Sequence, residues 1–179
     1  MKIIKSKLKD CFLIKPKKYE DKRGFFSEIF RNDYLKDILK KNYKFVQTNF
    51  SNSKKNVLRG LHFQKKKSQG KFLTVLSGSL YDVVVDLRKN SKTFGNWQGF
   101  YLSESGYSQI WIPPGFAHGF LSLENNTQIL YKCTNYYEPK YEEGIIWNDK
   151  FLNINWPKTE KKILSVKDKK NKKFTEFFS

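Results

Sequence analysis

The sequence predicts a mainly β domain, an antiparallel sandwich or barrel with one or more short helices, and three observations point there. Between Phe45 and Trp156, runs of β-prone residues follow one another at regular spacing, separated by Gly and Pro. Only one stretch of the chain carries a clear helical period. Aromatic residues make up 17% of the 179 positions, an excess of the types that pack well on sheets. A hydrophobic share of 39% is too high for a disordered chain, and the length gives room for one substantial core. No repeat, low-complexity tract or linker divides it. Residues 1–179 therefore read as a single domain with its strand-rich core at about 45–156.

The helical stretch comes first, at Arg31–Lys41, where Tyr34, Leu35, Ile38 and Leu39 recur at helical spacing, with Asn32 or Asp33 as N-cap. Leu58–Gln64 alternates like a strand, placing His62 and Gln64 on one face and Leu61 and Phe63 on the other. Phe72–Leu87 contains two β-rich runs joined at Ser77-Gly78-Ser79, a hairpin signal. Gln109–Ile112 must stop at Pro113-Pro114-Gly115. Thr127–Thr134 is a further strand and Gly144–Trp147 a short one, while Lys158–Lys170 suggests short helical turns.

Composition also excludes functions. The net charge of +18 invites a nucleic-acid reading, but the excess is nearly all lysine, scattered over Lys15–Lys18, Lys54-Lys55, Lys65–Lys67, Lys161-Lys162 and Lys169–Lys173. A dedicated nucleic-acid groove mixes arginine with aromatics. The charge reads instead as a solvated basic surface that attracts anionic ligands. Cys11 and Cys133 lie far apart, which excludes a disulfide framework or a zinc ribbon. No stretch is long enough to span a membrane, and lysines interrupt Met1–Ser6 before a signal-peptide core could form, so a soluble, cytoplasmic protein is expected.

Two histidines narrow the chemistry. His62 shares a polar strand face with Gln64, so that face lines a cavity or meets water. His118 closes Pro113-Pro-Gly-Phe-Ala-His118, whose Pro-x-Gly-x-x-His spacing resembles the second metal-ligand motif of cupins. The first cupin motif needs His-x-His and a carboxylate, where this chain has Gln64 and Ser68, so no metal is expected. Tyr131 falls on one strand face with Ile129 and Cys133 and becomes a candidate acid if that face meets the cavity of His62. Asp168, in a lysine-rich segment, reads on its own as a solvated carboxylate.

Eight segments in order carry a family resemblance: Asp21-Lys-Arg-Gly-Phe-Phe-Ser-Glu28, Asn56-Val-Leu-Arg-Gly-Leu-His-Phe-Gln64, Gln69-Gly-Lys71, Val85-Asp-Leu-Arg-Lys-Asn-Ser-Lys-Thr-Phe-Gly95, Trp111-Ile-Pro-Pro-Gly-Phe-Ala-His-Gly-Phe120, Leu130-Tyr-Lys-Cys-Thr-Asn-Tyr-Tyr137, Trp147-Asn-Asp149 and Leu164-Ser-Val-Lys-Asp168. From about Lys5 to Asp168 the chain resembles the dTDP-4-dehydrorhamnose 3,5-epimerases, the third enzymes of dTDP-L-rhamnose synthesis. The resemblance implies a cupin-like double-stranded β-helix (a jelly-roll barrel), a homodimer, no metal or organic cofactor, and a nucleotide-sugar substrate, a 4-keto-6-deoxyhexose on dTDP inverted at carbons 3 and 5. It assigns His62 as base, Asp168 as its partner, Lys71 beside the keto oxygen and Tyr131 as the acid on the opposite face. It further assigns substrate contacts to Arg23, Glu28, Gln47, Thr48, Asn49, Arg59, His118, Lys167 and, with a one-residue insertion after Tyr137, Glu143; Tyr137 would stack on the base. Arg59 has the opposite strand parity from His62, so either Gly60 bends the strand or Arg59 serves another part of the site.

The rival readings are an epimerase acting at carbon 3 alone or on another nucleotide-sugar, such as a GDP-linked 4-ketoheptose, and a non-catalytic sugar-binding cupin. A non-catalytic cupin would be expected to have lost part of the His62, Lys71, Tyr131 and Asp168 set, which this chain retains whole.

Overall fold

The computed structural model describes residues 2–178 and has two facing antiparallel sheets, with two short helices at its margins. The strands are β1 (Lys2–Lys5), β2 (Phe12–Lys15), β3 (Tyr19–Asp21), β4 (Gly24–Phe26), β5 (Gln47–Ser53), β6 (Leu58–Gln64), β7 (Lys71–Ser77), β8 (Ser79–Asp86), β9 (Trp97–Ser103), β10 (Gln109–Ile112), β11 (Phe116–Ser122), β12 (Thr127–Cys133) and β13 (Glu142–Gly144). One sheet has the order β1-β2-β10-β7-β12-β5 and the other β13-β6-β11-β8-β9, while β3 and β4 form a separate hairpin. This is the double-layered, cupin-like β architecture the resemblance implies.

Alternation sorts the side chains into three clusters. Leu73, Val75, Val84, Phe100, Ile110, Phe116, Phe120 and Ile129 fill the space between the sheets. Outside the five-stranded sheet, Leu58, Leu61, Val83, Val85, Ala117 and Leu121 pack beneath the C-terminal segment through Ile145, Leu152, Trp156 and Phe174. Outside the six-stranded sheet, Ile14, Phe72 and Trp111 are covered by Leu35 and Leu39 of the helix α1 (Asn32–Leu39). Each sheet thus buries both faces over much of its area, which is why strands such as β8 and β11 are buried along nearly their whole length.

Several expectations change. α1 is shorter than Arg31–Lys41 and its N-cap is Arg31, in an extended conformation without a side-chain cap bond; Asn32 and Asp33 fall in the first turn. The side chain of Tyr34 lies outside the described set. The Ser77-Gly78-Ser79 turn does not make a hairpin. β7 pairs with β10 and β12, and β8 pairs with β9 and β11, so the chain crosses from one sheet to the other at Gly78. Gly78 has φ +75°, and a Cβ there would approach Thr127 to 2.9 Å, so only glycine suits this tight crossing. The short strand expected at Gly144–Trp147 lies earlier, at Glu142–Gly144. Strands before Phe45 were not expected, yet β1 and β2 extend the six-stranded sheet. Of the turns expected at Lys158–Lys170, a 3-10 turn at Asp168–Lys170 forms, and a further helix, α2, follows at Thr175–Phe178.

Candidate active site

The inner faces of β5, β6, β7, β11 and β12 enclose one end of the space between the sheets, closed on the side by residues 163–168. A cavity of about 540 Å³ opens there, and a second of about 270 Å³ adjoins it. His62, Lys71, Tyr131 and Glu142 line both, so they stand where the two meet.

A bulge in β6 builds the first wall. His118 pairs with His62, and Phe120 pairs with Arg59, so two residues of β6 (Gly60 and Leu61) face one of β11. The extra residue shifts strand parity and returns Arg59 to the inner face beside His62, and both line the larger cavity. Gly60 is required: its φ is +99°, and a Cβ would lie 2.6 Å from the His118 carbonyl oxygen and 2.8 Å from Gly119 Cα. The local bend at Gly60 is therefore the correct alternative for Arg59.

Asp168 comes from the segment that closes this wall, and it is nearly fully buried. Its Oδ1 lies 2.5 Å from His62 Nε2, and its backbone N–H donates to Ser165 Oγ. Burial alone would raise the carboxyl, but the His62 hydrogen bond, the Ser165 bond and the Gly60 N–H outweigh it and hold Asp168 below the ordinary carboxylate range. A carboxylate has only acceptors, so His62 Nε2 carries the proton and Nδ1 keeps the lone pair. That is the tautomer a base needs.

The opposite wall supplies the other groups. Tyr131 projects from β12 and Lys71 from the start of β7, opposite Cys133 in register. Burial pushes the Tyr131 phenol up, with Cys133 adding to it, while Arg59 and a hydrogen bond from Asn49 act against it. Burial pulls the Lys71 amine down, and Cys133, Asp82 and Glu142 partly offset this. Both are therefore poorly hydrated groups whose proton positions are sensitive to a charge arriving in the cavity.

A polar chain borders the smaller cavity. Gln47 Oε1 accepts the Tyr137 N–H at 2.7 Å, the Tyr137 hydroxyl donates to Glu142 Oε2 at 2.5 Å, and Lys167 Nζ pairs with the same oxygen. Its bond to Glu142, with some burial, pushes the Tyr137 phenol to about 12. Glu142 itself is raised by burial but lowered further by Lys167 and Tyr137, for a net fall.

The structure thus gathers His62, Lys71, Tyr131, Asp168, Arg59, His118 and Lys167 around one cavity, with Gln47, Asn49 and Tyr137 around the adjoining one. Four expected residues are elsewhere. Glu143 turns away from the cavity to pair with Lys65 and Lys172. Thr48 sits on the outward face of β5. Arg23 is bound to Asp21 on the β3–β4 hairpin, and Glu28 pairs with Arg31; neither lines either cavity. Sequence reasoning missed Glu142. No period in the sequence marks it; the register of β13 on β6, which pairs Glu142 with Gln64 and Glu143 with Phe63, does. It also missed Asp82, a carboxylate in the apolar run Leu80-Tyr-Asp-Val-Val-Val-Asp86, which pairs with His118.

Comparison with known proteins gives a consistent result. A family model described as dTDP-4-dehydrorhamnose 3,5-epimerase matches residues 5–176. The Salmonella typhimurium dTDP-4-dehydrorhamnose 3,5-epimerase is 46% identical over 169 residues, 94% of this chain and 92% of that protein. The crystal structure of the Legionella pneumophila dTDP-6-deoxy-D-glucose-3,5-epimerase in complex with dTDP-4-keto-L-rhamnose superposes with a TM-score of 0.94 at 44% identity, over 99% of this chain and 94% of that one. The dTDP-4-dehydrorhamnose 3,5-epimerase of Elizabethkingia anophelis superposes with a TM-score of 0.93 at 42% identity, over 99% and 98% of the two chains.

Proposed function

The chain belongs to the dTDP-4-dehydrorhamnose 3,5-epimerase family, and on that premise we propose how its residues convert dTDP-4-dehydro-6-deoxy-D-glucose to dTDP-4-dehydro-L-rhamnose. The reaction is an isomerisation. A proton leaves the carbon next to a ketone and another returns from the opposite face, at carbon 5 and at carbon 3.

The observation that carries the reading is the His62–Asp168 pair on one wall facing Tyr131 and Lys71 on the other, all at one cavity. His62 Nδ1 takes the carbon-bound proton, and Asp168 stabilises the imidazolium that forms. Lys71, desolvated beside the keto oxygen, opposes the negative charge of the enolate. Tyr131 returns a proton from the other face. Two groups on opposing walls are what inversion demands, because a single base returning its own proton would restore the starting sugar. Arg59 and Lys167 hold the diphosphate, and Gln47, Asn49 and Tyr137 hold the nucleoside, with Tyr137 kept in place by Gln47 and Glu142. Glu142 takes the role first given to Glu143.

The functional unit is a homodimer in the cytoplasm, each chain acting as one domain. Among the described residues no helix is long and apolar enough to cross a membrane. The β3–β4 hairpin exposes Tyr19, Phe25 and Phe26 at 55%, 62% and 69%, an apolar surface suited to a second copy. Arg23, in the turn of that hairpin, and Glu28, just after it, reach substrate in the dimer, as does Thr48. Light scattering on the protein and on a Phe25→Ser/Phe26→Ser variant tests this; a monomeric parent protein would reject it.

The substrate assignment is tested by supplying dTDP- and GDP-linked 4-keto sugars side by side and following products by NMR. Turnover of the dTDP sugar to the L-rhamno product supports the reading, and preference for a GDP sugar overturns it.

A further inference from the structure

A second histidine–aspartate pair lies beneath the cavity floor. Asp82, on the inner face of β8, is fully buried, with Phe100 and Phe120 as its partners on β9 and β11. Its Oδ2 is 2.8 Å from His118 Nε2, and its Oδ1 has no hydrogen-bond partner among the described residues. A buried carboxylate with one oxygen unpaired is costly, and its same-face neighbours on β8, Leu80 and Val84, show that apolar residues fit this layer. Asp86, the next inner-face carboxylate of β8, differs: it is bound by Arg88, Ser91 and Thr93 and fastens a loop. Among the described residues Asp82 has His118 as its one hydrogen-bond partner.

His118 lines the larger cavity, directly opposite His62 in register, and its Nδ1 has no partner among the described residues. Among the charged groups around it, Lys71, Arg59 and Lys167 offer only donors, Asp168 is engaged by His62, and Glu142 by Lys167 and Tyr137. A sugar hydroxyl entering this wall needs an acceptor for its own proton.

Resting on the epimerase reading above, we propose that Asp82 is a positioning residue that accepts the Nε2 proton of His118, so that the ring presents a bare Nδ1 to the cavity as the acceptor for a hydroxyl of the sugar. Asp82 acts through His118 and never touches substrate. The contact forms in ground and transition states alike, so its loss raises KM more than it lowers kcat.

Nitrogen-15 NMR of labelled histidine tests this directly, because the chain has two histidines and each ring is resolved by one substitution. In its neutral form, His118 carries its proton on Nε2. Asp82→Asn moves it to Nδ1, since the amide can donate where the carboxylate could not. Kinetics then show KM raised about 10- to 100-fold in Asp82→Asn and in His118→Ala, with the double variant no worse than His118→Ala. A wild-type His118 protonated on Nδ1 overturns the proposal, as do multiplicative losses in the double variant or a fall in kcat with KM unchanged. If Asp82→Asn does not fold, the wild-type tautomer decides alone. Absence of epimerisation by the wild-type protein would reject the epimerase reading and leave the tautomer result standing.

Discussion

Substituting Gly60 by alanine tests whether the bulge in β6 builds the site. The new Cβ would meet two backbone atoms, the His118 carbonyl oxygen at 2.6 Å and Gly119 Cα at 2.8 Å, at a φ of +99° that alanine rarely adopts. Neither neighbour can rotate away as a side chain would. Backbone strain of about 1–3 kcal/mol and overpacking of about 1–3 kcal/mol give about 2–6 kcal/mol in all. For a chain of this size that lowers Tm by roughly 5–20 °C. Relief by flattening the bulge would restore simple alternation and turn Arg59 away from His62, so activity falls along with stability. Thermal unfolding by circular dichroism at one fixed protein concentration, with steady-state kinetics below the transition, reads both effects. A Tm within about 2 °C of the parent and unchanged kcat/KM would show that neither the glycine nor its bulge is needed.

Three further outcomes follow from the same geometry. Tyr131→Phe removes the proposed acid but leaves His62 and Asp168 in place, so deuterium exchange at carbon persists while inverted product falls by about 10²- to 10⁴-fold, read by NMR. Asp168→Asn lets an amide donate to His62 Nε2 and moves the ring proton to Nδ1, the nitrogen proposed as the base; kcat falls by about 10³- to 10⁴-fold with little change in KM, read by stopped assays. Asp168 is held below its ordinary value in the fold, so its contribution to stability is complete above about pH 4 and is lost as pH falls through that lower value. Urea unfolding between about pH 4 and pH 2 therefore shows a shallower acid decline in Asp168→Asn than in the parent.

Much of this arrangement was legible in the residues, and the failures have physical causes. Leu58–Gln64 and Gln109–Ile112 were read to the residue, because alternation marks a strand and Pro113 cannot continue one. Ser77-Gly78-Ser79 misled because a glycine turn reports a change of direction, not which sheet the next strand joins. β1 was invisible for a related reason: Lys2-Ile-Ile-Lys5 has no alternation and all four residues are exposed at a sheet edge. Strand parity correctly flagged Arg59 as anomalous, and only the register of β6 on β11 resolved it. Two adjacent glutamates in a three-residue strand carry no period, so choosing Glu142 over Glu143 required the pairing with Gln64. Asp82 went unread because a carboxylate in an apolar strand has no visible partner until His118 is folded against it. His62, Lys71, Tyr131 and Asp168 span more than a hundred positions, and the fold draws them to one cavity.

In the proposed mechanism, a base on one wall and an acid on the other invert two carbons of one keto sugar. The most direct measurement is to incubate the wild-type protein with dTDP-4-dehydro-6-deoxy-D-glucose in deuterium oxide and locate the label in the product by NMR. Deuterium at both carbon 3 and carbon 5 of the L-rhamno product is the predicted result. Label at one carbon alone, or product formed without label, would contradict it.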